Sequence, residues 1–305
     1  LLTATPVQND MDELFNLITL LKPGQLGGQS DFAANFVADK RLPKNEDRLQ
    51  EALSAVMIRN RRSDGGIAFT RRIVRNIEVK LSAEEKALYD AVTGFVRQRY
   101  DESGRDLASM LSLITLQREV CSSRDAVFLT LVNLFKKTAE DSPMRAKIWE
   151  LVEFIRRIQA NSKAEKALEL IRSTGDKTIV FTEYRATQEY LLQFLKQQGI
   201  HAVPYRGGMN RGKKDWMMDC FRGRAQVLVA TEAGGEGINL QFCHHMINFD
   251  LPWNPMRVEQ RIGRVHRLGQ TNDVKIYNLY TTGTIEEHIV RLLHEKINLF
   301  EMVVG

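Results

Sequence analysis

The sequence predicts an α/β fold, in which a parallel sheet flanked by helices follows a mostly helical region. From about residue 162 onward, short β-branched segments alternate with amphipathic segments, which is typical of βαβ units. Before about residue 160, apolar residues recur at helical spacing instead. The chain has 305 residues, enough for about two domains at roughly 150 residues each.

Four helical segments are predicted in the N-terminal region. Thr5-Pro6 marks a helix start, and Pro23-Gly24 ends that helix. Residues 82–85 have the spacing of a capping box ahead of a second helix. Further helical patterns cover about residues 107–135 and 144–158. This half of the chain is therefore expected to contain helices joined by short basic loops.

Five strands are predicted in the second half, separated by helices. The predicted strands cover Thr178–Thr182, His201–Tyr205, Gln226–Ala230, Met246–Phe249 and Val274–Tyr280. The intervening and closing helices cover residues 185–198, 210–221, the region around 258–261, and the segment from 284 onward. Ligands of parallel sheets bind at the carboxyl ends of the strands, so residues that follow strands are the candidate site.

Composition is that of an ordinary globular protein. Hydrophobic residues make up 43% and charged residues 27%, which excludes a disordered or fibrous chain. No apolar stretch is long enough to span a bilayer, so no membrane association is expected. Cys121, Cys220 and Cys243 lie far apart without a C-x-x-C pair. This excludes a disulfide framework and a cysteine-based zinc ribbon, and it indicates a reducing compartment.

Positive charge is concentrated between Lys40 and Lys80. This segment has eleven Lys and Arg against five Asp and Glu, a local +6, whereas the whole chain carries +5. Polyanions bind through neutralisation by Lys and Arg with release of counterions, so the segment is a candidate phosphate-facing surface. A solvated helical surface is the alternative interpretation.

A glycine-rich segment from Thr231 to Asn239 follows the third predicted strand. Its glycines allow the backbone to approach a phosphate or another domain closely. The Thr231 hydroxyl is a candidate donor to a phosphate oxygen. A glycine-rich turn without a ligand is the alternative.

Arg264 and Arg267 are three residues apart, so on a helical turn they project from one face. Two planar guanidinium groups on one face can grip a polyphosphate and neutralise the charge that develops in phosphoryl transfer. A solvated helix end is the alternative. The neighbouring Gln260 and Gly269-Gln270 favour the phosphate site.

The segment from Gly207 to Lys214 matches the first seven positions of a nucleotide-binding P-loop, and it lies between a predicted strand and a predicted helix. Lys214 occupies the eighth position, where a Ser or Thr hydroxyl must reach magnesium. No apolar strand ends in an acidic pair that holds the metal. We therefore predict a basic helix start that binds a nucleic-acid phosphate.

No metal site is predicted from the sequence. His244-His245, His288 and His294 show no ligand spacing, and we interpret them as structural. Trp253 lies in a loop after a strand, where a core or lid role and stacking on a base or sugar are both compatible with the sequence.

In chain order, these segments resemble the second half of a superfamily-two helicase motor of the Swi/Snf type. Motifs III, IV and V are matched by residues 2–9, 179–184 and 231–240, and the block that follows motif IV by residues 205–211. Residues 250–255 resemble the D-x-x-W-N-P segment, and residues 260–270 match the Q-x-x-x-R-x-x-R-x-G-Q of motif VI. The details are most similar to the bacterial branch, which includes the RNA polymerase-associated helicase.

The resemblance implies three regions. Residues 1–24 would end the first RecA-like lobe, residues 25–160 would be a helical insertion and linker, and residues 161–305 would form the second RecA-like lobe. The P-loop and the D-E-x-H motif of the first lobe are not among these residues. Because the sequence opens in the middle of motif III, we expect a piece of a longer protein that is inactive as an ATPase alone.

The resemblance also implies a DNA-dependent ATPase that translocates on duplex DNA. ATP and Mg²⁺ would be held mainly by the missing first lobe, with Arg264 and Arg267 as arginine fingers. The other implied roles are the nucleotide edge for Gln260, Gly237 and Asn239, the DNA phosphate track for Thr182, Arg206, Thr231 and Trp253, and coupling of the lobes for Thr3 and Thr5.

The implied partners are duplex DNA without sequence preference, the first lobe, and RNA polymerase or another protein–DNA complex. The implied location is the cytoplasm with the nucleoid in a bacterium, or the nucleus in a eukaryote.

Two alternative functions belong to other classes of protein. A stand-alone nucleic-acid-binding module does not account for paired arginines, and a DEAD-box-type RNA helicase fragment does not account for Trp253-Asn254-Pro255 or the helical insertion.

Overall fold

The computed structural model describes residues 10–39, 42–57, 70–102, 107–231 and 239–304. The chain divides into two compact units. The first comprises Leu1–Phe69, Pro252–Gln260 and Ile289–Gly305, and the second comprises Thr70–Leu251 and Arg261–His288.

The N-terminal part of the first unit is a small helical assembly. Its elements are α1 (Met11–Leu21), α2 (Gln29–Phe36), the antiparallel pair β1 (Val37–Asp39) and β2 (Leu42–Pro43), and α3 (Glu46–Ser54). The core of this assembly includes the buried side chains of Met11, Leu14, Ile18, Phe32, Leu49 and Leu53.

Helix α1 begins at Met11, and the helix start predicted at Thr5-Pro6 lies outside the described residues. Asp10 has extended backbone angles, and its carboxylate accepts a hydrogen bond from the Glu13 amide at 3.2 Å. This side-chain cap satisfies an amide that has no partner within the helix, so the helix begins at Met11. Its end at Leu21, just before Pro23-Gly24, confirms the predicted stop.

Four helices form the first layer of the second unit. They are α4 (Ala83–Glu102), α5 (Leu107–Ser122), α6 (Arg124–Lys137) and α7 (Pro143–Arg157). Their shared core includes Leu88, Val92, Val127, Leu131, Ile148 and Val152. The predicted capping box is confirmed, because Ser82 Oγ accepts from the Glu85 amide at 3.2 Å and Glu85 Oε2 accepts from the Ser82 amide at 2.8 Å.

A six-stranded parallel sheet lies at the centre of the second unit. The strands are β3 (Arg72–Val79), β4 (Thr178–Thr182), β5 (Ala202–Tyr205), β6 (Val227–Thr231), β7 (His245–Asn248) and β8 (Val274–Thr281). They are arranged in the order β3-β8-β7-β4-β6-β5, and every neighbouring pair is parallel. The parallel sheet confirms the predicted fold class, and five of its strands match the predicted segments within a residue or so.

Strand β3 corrects the prediction of basic loops around Arg71-Arg72. Residues 72–79 pair with Val274–Thr281 along their whole length, at the edge of the sheet. Most of the β3 side chains are exposed, and several are charged, as is common on edge strands. The segment therefore lacks the apolar run that identified the central strands.

The remaining helices alternate with the strands. They are α8 (Ser162–Thr174), α9 (Arg185–Gln197), α10 (Arg211–Arg222), α11 (Pro255–Val265) and α12 (Ile285–Val304). Apolar side chains of α8 and α9 pack against the sheet in a core that includes Ala164, Leu168, Leu191, Leu195, Val180, Val229 and Ile247. Among the residues that the structure describes, no helix has both the length and the apolar character needed to cross a membrane.

The predicted domain boundary at residue 161 stays a prediction, and the two compact units have other bounds. The second unit begins at Thr70, because β3 supplies the edge strand of the sheet and helices α4 to α7 belong to the same unit. Segments of the predicted second lobe, Pro252–Gln260 and Ile289–Gly305, instead belong to the first unit.

Candidate functional site

Asp250 lies at the carboxyl ends of the central strands, two residues beyond β7. It is 2% exposed. Its Oδ2 accepts hydrogen bonds from the hydroxyl groups of Thr182 and Ser122, the latter at 3.0 Å, and from the Glu183 amide at 3.1 Å. One carboxylate thus holds together the ends of β4 and β7 and the end of α5.

Lys163 brings a second charge into this buried region. Its ammonium lies 2.7 Å from Glu286 Oε1 and 3.4 Å from Asp250 Oδ1, and the Lys163 side chain is 1% exposed. Glu286 Oε2 accepts from both the amide and the hydroxyl of Thr281, each at 2.9 Å. Burial opposes the charge of Lys163, but attraction to Glu286 and Asp250 outweighs it and raises the pKa of the ammonium. The group therefore stays protonated.

Arg261 fixes the C-terminal half of α11 to the strand ends. Its Nη1 donates to Asn248 Oδ1 at 3.2 Å and to the Asp250 carbonyl at 2.9 Å. Its Nη2 lies 3.8 Å from Glu183 Oε1. The other oxygen of Glu183 is bound by Arg118, whose guanidinium also donates to a loop carbonyl, that of Leu251, at 3.0 Å. Sequence reasoning missed Lys163, Glu183 and Arg261, although Arg261 stands beside the motif residue Gln260.

Arg264 lies on α11 one turn before Arg267, which follows the end of the helix, and both side chains are partly exposed. Arg267 Nε donates to the Gly263 carbonyl at 2.8 Å, which holds the chain in a tight turn. The Arg264 carbonyl accepts from the Leu240 amide at 3.1 Å, so α11 is tied to the residues that follow the glycine-rich segment. The two guanidinium groups therefore belong to one rigidly anchored turn.

The buried side chain of Gln270 stabilises the turn that carries Arg264 and Arg267. It is 9% exposed, and its amide donates to the carbonyls of Gln241, Cys243 and Val265 at 2.9 to 3.2 Å. Its carboxamide oxygen also accepts from two backbone amides that follow it. Gln270, the last residue of the matched motif VI, thus holds the arginine turn in place.

Thr182, which the resemblance assigns to the DNA track, lies at the carboxyl end of β4. It is 0% exposed, and its hydroxyl donates to Asp250. In this structure the hydroxyl thus joins the end of β4 to Asp250, and the assignment of Thr182 to the DNA track stays a prediction.

The other predicted site residues are distributed over several elements. Arg206 forms an ion pair with Glu189 at 2.8 Å. Thr231 ends β6 and is partly exposed, Gln260 is exposed on α11, and Trp253 is 36% exposed. Asn239 is exposed and exchanges hydrogen bonds with Gln241 at 3.0 and 3.1 Å. Thr3, Thr5 and Gly237 lie outside the described residues.

The segment from Gly207 to Lys214, whose sequence resembles a P-loop, contains a helix start, as predicted. Helix α10 begins at Arg211, and the Asn210 side chain caps it by accepting from the Lys213 amide at 2.9 Å. Gly208 has a φ of +77°, which favours glycine in the preceding turn. The exposed helix start carries the basic side chains of Arg211, Lys213 and Lys214.

The basic segment 40–80 divides between the two units. Its residues 40, 41 and 58–69 lie outside the described part of the chain. Arg71 is engaged by Asp273 at 2.7 Å, which neutralises part of the excess charge on the second unit.

The parallel sheet, the charged groups at its carboxyl ends and the anchored arginine turn define a RecA-like helicase lobe. Residues 1–126 match the SNF2-related domain, and residues 162–269 match the helicase conserved C-terminal domain. These two matches, together with the curated relatives, confirm the resemblance to the Swi/Snf-type family drawn from the motifs.

Curated relatives include bacterial and plant proteins. The chain is 54% identical over 307 residues to an uncharacterized ATP-dependent helicase of Bacillus subtilis, YqhH, covering 100% of this chain and 54% of that protein. It is 28% identical over 309 residues to the CHD3-type chromatin-remodeling factor PICKLE of Arabidopsis thaliana, covering 100% of this chain and 22% of that protein. The chain thus spans about half the length of YqhH and less of PICKLE.

Solved structures share the fold. The Sulfolobus solfataricus SWI2/SNF2 ATPase core in complex with dsDNA is 25% identical, with a TM-score of 0.57, covering 99% of this chain and 61% of that one. The C-terminal part of the Fun30 ATPase domain has a TM-score of 0.55 at 19% identity, covering 73% of this chain and 89% of that one.

Proposed function

We propose that this chain is the C-terminal motor lobe of an ATP-dependent translocase that acts on duplex DNA. Its contribution to catalysis is the pair of arginines, Arg264 and Arg267, which act as arginine fingers on ATP bound by the first lobe. The observation that carries this proposal is the anchoring of their turn by the buried side chains of Arg261 and Gln270.

Anchoring matters because phosphoryl transfer is catalysed mainly by positioning and by electrostatic stabilisation. A guanidinium that is held in place before the reaction stabilises the charge developing on the phosphoryl oxygens without reorganisation. The buried Arg261 fixes the turn to strand ends, while Arg264 and Arg267 remain partly exposed. This is the arrangement that a finger requires: a rigid base with an accessible charged tip.

The charges at the strand ends support the assignment of Mg²⁺ to the other lobe. Asp250 and Glu286 are buried and share the ammonium of Lys163. Carboxylates that already neutralise a buried cation are unsuited to hold Mg²⁺, which prefers hydrated oxygen sites beside phosphates. In the proposed motor, Gln260, Gly237 and Asn239 line the nucleotide edge, and ATP with Mg²⁺ supplies the phosphoryl group.

The DNA track is proposed to include Arg206, Thr231 and Trp253. The exposed basic start of α10 joins this set. Arginine, lysine and hydroxyl groups contact phosphates without reading sequence, so binding is expected to be independent of sequence. The S. solfataricus relative, solved with dsDNA, supports duplex DNA as the nucleic acid. RNA polymerase or another protein–DNA complex is the proposed target of translocation.

The test is DNA-stimulated ATP hydrolysis by the full-length protein. Arg264→Ala and Arg267→Ala should each lower turnover at saturating DNA by about a thousandfold or more, while ATP binding and DNA binding change far less. Lysine at either position should rescue poorly, because a point charge does not reproduce the planar fork. Arg156→Ala, on the exposed face of α7, is the matched control. Normal turnover in both finger variants would remove the assignment.

A further inference from the structure

Asp176, His244 and His245 meet at the amino-terminal edge of the sheet, the edge at which Gln270 of the arginine turn binds the Cys243 carbonyl. Asp176 lies in the turn between α8 and β4, and the two histidines lie at the start of β7. Strands β4 and β7 are parallel neighbours, with Thr178 opposite His245. The residues that enter these strands are therefore brought side by side, although Asp176 is distant from the histidines in sequence.

The distances among the three side chains suit a small transition-metal ion. His244 Nε2 lies 3.5 Å from Asp176 Oδ2, and the ligand atoms of all three residues lie within 4.8 Å of one another. Zinc binds nitrogen and oxygen ligands at about 2.0–2.1 Å, which separates tetrahedral ligands by about 3.3–3.4 Å. The first pair is already close to this spacing, and the His245 ligand atom, within 4.8 Å of the other two, needs a shift of at most roughly 1.5 Å to reach it.

The backbone around the cluster holds the ligands in place. Asp176 Oδ1 accepts from the Lys177 amide at 2.6 Å, which leaves Oδ2 on the side of His244. The His244 carbonyl accepts from the Lys275 amide at 2.8 Å. The Lys177 ammonium donates to the Phe221 carbonyl at 2.6 Å, so it is directed towards the end of α10. Such second contacts orient ligands in metal sites.

His245 provides an independent indication of a ligand. The side chain is 4% exposed, and its Nδ1 is buried without a hydrogen-bond partner among the described residues. Buried polar atoms are normally satisfied, and an exception requires an explanation. Coordination of a metal by this imidazole supplies one. The opposing influence is Lys275, which lies opposite His245 on β8 and weakens the attraction for a cation.

We propose that Asp176, His244 and His245 form a Zn²⁺ site, with the fourth position open to water. Two imidazoles and one carboxylate are ligands that Zn²⁺ accepts, and a site with three protein ligands keeps one position for solvent. The ion fastens the turn before β4 to the start of β7. The site shares no side chain with the proposed motor residues, so it stands whether or not the finger assignment does.

The test measures Zn²⁺ binding to the tag-free full-length protein by calorimetry and by metal content after dialysis. Asp176→Asn and His244→Gln change side chains that are partly exposed, so both variants should keep their fold. Each should bind one Zn²⁺ fewer per molecule, or bind it at least about tenfold more weakly. His201→Gln, at an exposed histidine, should bind as the unchanged protein does.

Two further readouts make the result independent of ATP hydrolysis. Co²⁺ in place of Zn²⁺ should give the strong visible absorption of a tetrahedral site, and both variants should lose it. Zn²⁺ should raise the thermal unfolding midpoint of the unchanged protein and of His201→Gln, but not of the two ligand variants. Equal Zn²⁺ content and affinity in all four proteins would overturn the proposal.

Discussion

Lys163 and Glu286 are 123 residues apart in the chain, yet the ammonium and a carboxylate oxygen lie 2.7 Å apart with both side chains buried. The pair joins α8, the helix that precedes the first central strand, to α12, the helix that follows the last strand. With Asp250 it forms a buried charge cluster that holds the carboxyl ends of the sheet together. Through the Asp250 backbone carbonyl, which accepts from Arg261, this cluster is also linked to α11.

Replacement of Lys163 by Met should destabilise the fold by about 3–5 kcal/mol, because it leaves two buried carboxylates without their cation. The free energy of unfolding in urea measures the effect. The double variant Lys163→Met/Glu286→Gln should regain part of the loss, because it removes one of the uncompensated charges. Lys166→Met, at an exposed pair on the same helix, is the control and should change stability by less than about 1 kcal/mol. Equal losses for Lys163→Met and Lys166→Met would contradict the cluster's role.

Glu119 should make stability depend on pH. Burial raises its pKa from 4.5 to about 7, against the opposing effects of the Thr130 hydroxyl and Arg118. Between these two values the folded state binds more protons than the unfolded state, so stability falls as pH rises. The contribution is complete below about pH 4.5 and is lost as pH passes through about 7. The total change is roughly 3 kcal/mol.

Glu119→Gln should remove this contribution, because the amide stays neutral and still accepts from Thr130. The measurement is the free energy of unfolding at pH 5 and pH 8 for the variant and the unchanged chain. The variant should be the more stable protein at pH 8, with little difference at pH 5. Glu150→Gln, at an exposed position on α7, should follow the unchanged chain. A pH dependence that persists in Glu119→Gln would refute the prediction.

The isolated 305-residue chain should bind duplex DNA weakly and without sequence preference, with an affinity that falls steeply with salt. Fluorescence titrations at several salt concentrations measure this. Arg211→Ala and Lys214→Ala should each reduce the slope of log affinity against log salt by about one if the start of α10 contacts phosphates. Arg172→Ala, exposed on α8, is the control. Salt-independent binding, or none at low salt, would count against the phosphate surface.

The isolated chain should show no ATP hydrolysis, with or without DNA. Phosphoryl transfer needs the P-loop lysine and Mg²⁺ ligands as well as arginine fingers, and only the fingers are proposed here. Phosphate release by the purified chain measures this, with the full-length protein as the positive control. DNA-stimulated hydrolysis that remains in the chain after rigorous purification, and is lost in Arg264→Ala, would overturn the half-site interpretation.

Local sequence patterns were sufficient for much of the fold. The capping box at Ser82 and Glu85, the stop before Pro23-Gly24 and the helix start at Arg211 depend on residues within a few positions of one another. The central strands were identified because burial on both faces requires continuous apolar runs. Strand β3 was missed because an exposed edge strand needs no such run, and only its pairing with β8 makes it a strand.

The sequence by itself determined the α/β class, five of the six strands of the parallel sheet and the family resemblance, because periodicity and motifs reside in neighbouring residues. The tertiary structure alone decided which distant side chains meet. It placed Thr182 against Asp250, which removed Thr182 from the surface, and it brought Asp176 to His244. It also paired Lys163 with Glu286. Parallel pairing joins segments far apart in the chain, so contacts at the sheet edges depend on strand order, which residue spacing along the chain does not encode.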